Sequence, residues 1–173
     1  MDDISAPVLS GIPADVTVEC DAVPTPPTVT ATDNCEAMED ITIIYKELRL
    51  DGNCSGNYQL KRAWTATDGC GNVSLGEQMI TVEDNTAPVF DYCPKDLVVF
   101  ALDDCNSEIL DLEIPAVSDN CDEEVEVSSS VDLTKPFPMG TTVVIFTAID
   151  DCGNRTTCEF LIKVENTPQD QCP

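Results

Sequence analysis

Ten of the 173 residues are cysteine and none is histidine. Thiols at that density can close disulfides or hold zinc. Zinc sites draw on C-x-x-C pairs or on histidine, and neither occurs in this sequence. Glutathione keeps cytosolic thiols reduced, so a dense, even set of cysteines points to disulfides and an oxidising, extracellular compartment. A second kind of chemistry sits beside the same cysteines. The stretches TDNC (32–35), TDGCGN (67–72), SDNC (118–121) and DDCGN (150–154) each set aspartate and asparagine against a cysteine. Such side-chain oxygens suit calcium, which takes about six to eight hard oxygen ligands. They equally suit Asx-turns, in which Asp or Asn accepts a hydrogen bond from its own backbone.

Charge narrows the partners. With 33 acidic and 8 basic residues the net charge is −25. A chain lacking a Lys/Arg footprint repels nucleic-acid phosphates and anionic membranes, and it attracts divalent cations. No apolar stretch reaches the roughly 18 residues of a membrane helix, so neither nucleic acid nor membrane insertion is expected. Catalysis is not expected either. The commonest general base is absent, and there is no nucleophile elbow or phosphate loop. The acid pairs Asp103–Asp104 and Asp150–Asp151 are adjacent in sequence, which on a strand turns them to opposite faces. The opening MDDISAPVLSG has neither the basic nor the apolar region of a signal peptide, so an excised piece of a longer exported protein is expected.

The elements that must position these residues follow from self-comparison. AWTATDGCGN (63–72) matches IFTAIDDCGN (145–154) at an offset of 82, and TVTATDNC ending at Cys35 matches IPAVSDNC ending at Cys121. MITVEDNTAPV (79–89) is echoed by LIKVENTPQ (161–169), and TPQDQCP resembles TAPVFDYCP. Repeats therefore span residues 3–83 and 84–165, with 166–173 opening a third. Within them DVTVEC, TVTAT, ITIIYKELRL, YQLKRAWTAT and EQMITVED read as strands, as do DLVVFAL, EILDLEIP, EVEVSSSV, TTVVIFTAI and TCEFLIKVE. No helical apolar period is sustained. Alternation puts Trp64 and Ala66 on one face, matched by Phe146 and Ala148, and that face is the expected core. The fold class is all-β: two tandem immunoglobulin-like β-sandwiches, stapled by disulfides because domains so small bury little apolar area.

NTAPVFDYCP, PAVSDNC, FPMGTTVVIFTAIDDCGN and TTCEFLIKV, in that order, resemble the hyalin repeat (HYR) family of extracellular modules. VTVECDAVP, TATDNC, RAWTATDGCGN and QMITVEDNTAP make the first repeat similar to a divergent relative in bacterial surface proteins of the Bacteroidetes type. The resemblance implies adhesion, matrix or spacer roles rather than catalysis. In sandwich topology the N-terminal linker, the B–C loop and the F–G loop meet at one pole. That gathers Asp2, Asp3, Asp33, Asn34, Asp68 and Asn72 in the first repeat, and Asp84, Asn85, Asp119, Asn120, Asp150, Asp151 and Asn154 in the second. Calcium and turn formation both stay open for these residues. The same topology sets Cys35 against Cys70 and Cys121 against Cys152. Cys20 then pairs with Cys54. Cys93 pairs with Cys158, as the family's pattern also implies, and Cys105 and Cys172 remain open, to a bridge across the next junction or to contacts between chains. Expected partners are neighbouring repeats, other copies of the chain or a surface ligand. Asn53-Cys54-Ser55, Asn72-Val73-Ser74 and Asn154-Arg155-Thr156 fit the N-glycosylation sequon, and a bacterial source would make them coincidental. Lys61 and Arg62 read as a salt-bridged sheet face.

Overall fold

Alternating apolar residues over two ten-residue runs, broken by a short Asp/Gly/Asn segment, demand a long antiparallel hairpin. Each half of the chain has one. In this computed structural model, which describes residues 3–35, 37–102 and 105–166, the chain divides into unit 1 (1–85) and unit 2 (86–173). Unit 1 contains β1 (Val8–Ser10), β2 (Val16–Val18), β3 (Thr30–Thr32), β4 (Thr42–Asp51), β5 (Tyr58–Thr67) and β6 (Val73–Val82). Unit 2 contains β7 (Val89–Phe90), β8 (Leu97–Phe100), β9 (Val117–Ser118), β10 (Glu126–Ser129), β11 (Gly140–Ile149) and β12 (Arg155–Glu165). The only helical pieces among the described residues are single 3-10 turns at Cys20–Ala22 and Met38–Asp40. The third repeat, Asp2, Asp103, Asp104 and Cys172 fall on or run into positions outside the described residues.

Both units repeat one topology. A two-stranded antiparallel sheet (β1-β3, β7-β9) accompanies a four-stranded one (β2-β6-β5-β4, β8-β12-β11-β10), whose first strand joins in parallel. The hairpins β5–β6 and β11–β12 run in full register, from Tyr58↔Val82 to Thr67↔Val73 and from Gly140↔Val164 to Ile149↔Arg155. Trp64, Ala66, Phe146 and Ala148 are all buried, so the face inferred from alternation is the core face. An aspartate anchors the strand entry in both units. Asp15 Oδ1 accepts from the Met79 N–H at 2.7 Å, and Asp96 Oδ1 accepts from the Leu161 N–H at 2.9 Å.

The interiors differ. Unit 2 has one continuous apolar cluster containing Val144, Phe146, Phe160, Ile162 and Val164. Unit 1 has two, Ala31–Ile41–Ala66 and Leu60–Ile80–Val82. Between them lies a polar layer: Arg62 and Gln78, cross-strand partners, are both 3% exposed. Arg62 donates to Glu47 Oε2 and to the Pro24 carbonyl, each at 2.7 Å, and Tyr45 O–H donates to the same Glu47 oxygen at 2.7 Å. Arg62 Nη1 and Gln78 Oε1 have no hydrogen-bond partner among the described residues. The equivalent positions in unit 2 are Val144 and Phe160. Arg62 is thus part of the interior and not of a surface patch, because period-two alternation turns it inward with Leu60 and Trp64. Lys61, one residue earlier, faces outward and pairs with Glu77 at 2.9 Å.

A second exchange concerns Cys93–Cys158, a disulfide with Cα atoms 5.6 Å apart. The equivalent residues of unit 1 are Ile12 and Gly76. A Cβ built on Gly76 would collide with Ile12 Cδ1, so the isoleucine fills the space a side chain there would need. One correction concerns EILDLEIP, which forms no strand. Leu110 and Leu112 pack against the core, but the Leu112 N–H bonds back to the Leu110 carbonyl at 3.1 Å rather than across to a neighbour.

The polar layer generates a test. Arg62→Val alone removes Glu47's charged partner and should cost about 2 to 3 kcal/mol. The triple change Glu47→Val, Arg62→Val, Gln78→Phe should be neutral or stabilising by about 1 to 4 kcal/mol. The hydrogen bond from Arg62, then that from Tyr45, holds the Glu47 carboxyl below its usual range. Its stabilisation is present above the ordinary carboxylate range and is lost as pH falls through the lowered value. The triple variant should therefore lose that acid sensitivity. Calorimetric melting at neutral and acidic pH measures both effects. A triple variant less stable than the single one would show that the layer is not interchangeable with apolar packing.

Candidate functional site

Each long hairpin closes through five residues that an aspartate and an asparagine lock. In unit 1 the Asn72 backbone N–H donates to Asp68 Oδ1 at 2.7 Å, and the Asn72 side chain donates to Asp68 Oδ2 at 2.8 Å. Asp68 N–H donates back to the Asn72 carbonyl at 3.1 Å. In unit 2 the Asn154 N–H donates to Asp150 Oδ1 at 2.7 Å, and Asp150 N–H to the Asn154 carbonyl at 3.2 Å. Gly71 and Gly153 sit at φ +89° and +94°, a left-handed conformation that side chains resist. The neighbouring loops use the Asx-turn. Asp33 Oδ1 accepts from Cys35 N–H at 2.9 Å, and Asp119 Oδ1 accepts from Cys121 N–H at 2.8 Å and Asp122 N–H at 3.0 Å.

In unit 2 turn formation uses one oxygen of each of two aspartates and leaves the other. Asp150 is 5% exposed and Asp119 half-buried. The second carboxylate oxygen of each is buried without a hydrogen-bond partner among the described residues, and the two groups bring ligand oxygens within 4.8 Å of each other. In unit 1, Asp3, Asp33 and Cys35 bring ligand atoms within 4.8 Å of one another. Asp68 joins this set through Asn72, whose side chain also donates to the Asp3 carbonyl at 3.1 Å. Burial works against ionising Asp68, yet the bonds from Asn72, Gly71 and Cys70 outweigh it and hold the carboxyl below its usual range.

The remaining candidates are each held by hydrogen bonds of their own or lie exposed. Asp84 is buried at the end of β6, where its N–H donates to Asn57 Oδ1 at 2.7 Å, and the Asn85 N–H donates to Glu19 Oε2 at 3.2 Å. Both are tied by their backbones to unit 1. Asn120 donates to the Cys121 sulfur at 3.1 Å, and Asp151 is exposed. The residue the sequence reading missed is Asp122. Its Oδ2 accepts from the Asp151 N–H at 2.9 Å and its Oδ1 from the Glu124 N–H at 3.0 Å, so it ties two loops together. Its only signal was an acid immediately after the loop cysteine.

The cysteines divide unexpectedly. Cys93 and Cys158 are bonded to each other, and Cys20, Cys54, Cys105, Cys121 and Cys152 are each in disulfides. Cys35 and Cys70 are free and exposed, so the expected Cys35–Cys70 bridge is absent from the structure. Asn34 donates to the Cys35 sulfur at 3.2 Å, and the Asp3 and Asp33 carboxylates lie beside it. Desolvation of the sulfur, then the charges of Asp3 and Asp33, push the Cys35 thiol up from its ordinary pKa.

The HYR domain matches residues 65–164, more than half of the chain. The chain belongs to the HYR domain family. HYR domains are non-catalytic structural modules of secreted or cell-surface proteins, and this protein is secreted or displayed at the cell surface. A mouse and a rat Sushi, von Willebrand factor type A, EGF and pentraxin domain-containing protein 1 are each 34% identical over 105 residues, 61% of this chain. The chain spans only 3% of their length. Both relatives are mammalian, so the bacterial affinity expected of the first repeat is without support. A human mucin-like protocadherin EC1-2 structure overlaps 92% of this chain and 99% of its own, at 13% identity and a TM-score of 0.35. That score is too low to argue from. No helix among the described residues is long and apolar enough to cross a membrane.

The thiol geometry predicts a labelling pattern. Iodoacetamide without reductant should modify Cys35 and Cys70 and spare Cys93 and Cys158. Because the thiolate is the nucleophile, Cys35 should react more slowly than free cysteine at mildly alkaline pH and accelerate as pH rises. Asp3→Asn should speed it. Peptide mapping that finds Cys35 and Cys70 unlabelled and joined would refute the free pair.

Proposed function

We propose that the chain is two tandem immunoglobulin-like HYR repeats, 3–83 and 84–165, with 166–173 beginning a third. It serves as a non-catalytic spacer within a tandem-repeat surface adhesin, its repeats stiffened by calcium. The duplicated strand order supports the repeat reading. One observation carries the calcium reading: Asp119 and Asp150, each with a buried second oxygen and no hydrogen-bond partner for it among the described residues, side by side in unit 2. Two carboxylates within 4.8 Å repel by roughly 3 to 4 kcal/mol at an effective dielectric near 20, a cost that a divalent cation reverses. Asp3, Asp33 and Asp68 are the corresponding donors in unit 1, and Asn120 and Asp151 lie within reach by sequence of the unit 2 pair. An ion held there would bind only the folded loops and so stabilise the repeat.

A filament subunit is the second reading. β4 is a ten-residue edge strand with Ile44, Leu48 and Leu50 exposed, and no described strand pairs with its outer side. Lys46, Glu47 and Arg49 interrupt that edge, a common guard against edge-to-edge association, which favours the spacer. Sedimentation under native, non-reducing conditions separates the readings: a monomer fits the spacer, and concentration-dependent polymers fit the filament.

The calcium test is melting with millimolar Ca²⁺ and then with chelator. Binding should raise stability by about 2.7 kcal/mol at a hundredfold excess over the dissociation constant. Asp119→Asn with Asp150→Asn retains an oxygen to accept the turn hydrogen bonds but removes the charge, and should abolish the rise. Identical melting with Ca²⁺ and chelator would leave these aspartates as turn formers alone.

A further inference from the structure

Three sequons occur in the chain, and the structure sorts them. We propose that Asn53 is an acceptor for an N-linked glycan and that Asn72 and Asn154 are not. A glycosylated asparagine must present its amide nitrogen to solvent, with room for a bulky, hydrated sugar, and must still allow the local backbone to fold. Asn72 fails on both counts. Its side-chain nitrogen donates to Asp68 Oδ2 at 2.8 Å and to the Asp3 carbonyl at 3.1 Å, so a sugar there would sit between the two segments it joins. Asn154 holds the same place in unit 2. It is half-buried, and its backbone is locked to Asp150 at both ends of the turn.

Asn53 is different in each respect. It lies in the connection between β4 and β5 and is exposed, as is Ser55, the hydroxyl residue of its sequon. Its Oδ1 accepts from the Asn57 side chain at 3.3 Å, which turns the amide group but does not use its nitrogen. That nitrogen makes no hydrogen bond among the described residues. The turn itself is closed by other groups. Gly52 N–H donates to the Asn57 carbonyl at 2.8 Å, and Asn57 N–H donates to the Cys54 carbonyl at 3.2 Å. A glycan on Asn53 therefore breaks none of the contacts that shape the loop. The compartment is suitable, since the protein is secreted or displayed at the cell surface and shares its family with mouse and rat proteins. Cys54, the middle residue of the sequon, is disulfide-bonded, so sugar transfer competes with oxidation and occupancy below unity is expected.

The test is secretion of the full chain from mammalian cells behind a signal peptide, followed by glycopeptide mapping before and after peptide N-glycosidase F. One enzyme-sensitive glycan is expected, on the peptide containing Asn53, in at least a substantial fraction of molecules. Asn53→Gln and, independently, Ser55→Ala should each remove it. Because the three sequons fall on separable peptides, the unsubstituted protein answers the question even where a variant folds poorly. Secreted protein with no glycan at Asn53, or with the glycan on Asn72 or Asn154, would overturn the assignment.

Discussion

The ten-rung hairpin is the constraint on which each unit depends. Ten consecutive cross-strand pairs leave no freedom of register, because a slip of one residue would carry Leu60, Trp64 and Ala66, or Val144, Phe146 and Ala148, to the solvent face. What fixes the register is the closing turn, where an aspartate accepts from an asparagine four residues on and a glycine takes the left-handed conformation. The same turn fixes where the aspartate's second oxygen lies. Fold and candidate site are therefore set by one local device, and this explains why the acid-bearing loops match so closely in the two units.

Inside that frame the two units solve the same packing problem differently. Unit 2 has one continuous apolar cluster and adds a covalent link between its strand entry and β12. Unit 1 gives up that link, placing Ile12 against Gly76, and carries a buried guanidinium paired with a carboxylate across its middle. A buried pair is weak support for stability, since desolvation offsets most of the attraction. Its other consequence is directional: Arg62 reaches both Glu47 on β4 and the Pro24 carbonyl, so it holds the long edge strand and a distant loop to the hairpin. Polar geometry does in unit 1 what shape and sulfur do in unit 2.

Much of this was legible in the sequence, for physical reasons. The repeat, the near absence of helix and the inward face of the hairpins follow from composition and period-two alternation, which tertiary context seldom overrides in long strands. Alternation also implied that Arg62 points inward, yet a lone arginine between apolar neighbours reads as a surface charge until Glu47 and Pro24 are seen around it. EILDLEIP alternates as a strand should, but alternation records only which residues face the core and not whether a neighbour offers hydrogen bonds. Cys35 and Cys70 were paired by analogy with topology. Loop placement brings two cysteines to one pole, but it does not decide whether a thiol turns to the other thiol or to Asp3.

Turn formation and metal binding draw on the same aspartates but need not draw on the same oxygen. Each carboxylate has two oxygens, and the backbone of the turn needs only one. In Asp119 and Asp150 the oxygen facing the turn is satisfied, and the other is buried, without a partner among the described residues, and close to its neighbour. The turn thus sets the orientation of the second oxygen, since the side chain is already fixed by its own backbone. Asp68 shows another outcome within the same motif, because Asn72 donates to both of its oxygens, each of which keeps a second lone pair. What differs between the two copies of the motif is the second oxygen: the asparagine side chain four residues on donates to it in Asp68, and in Asp150 it has no hydrogen-bond partner among the described residues.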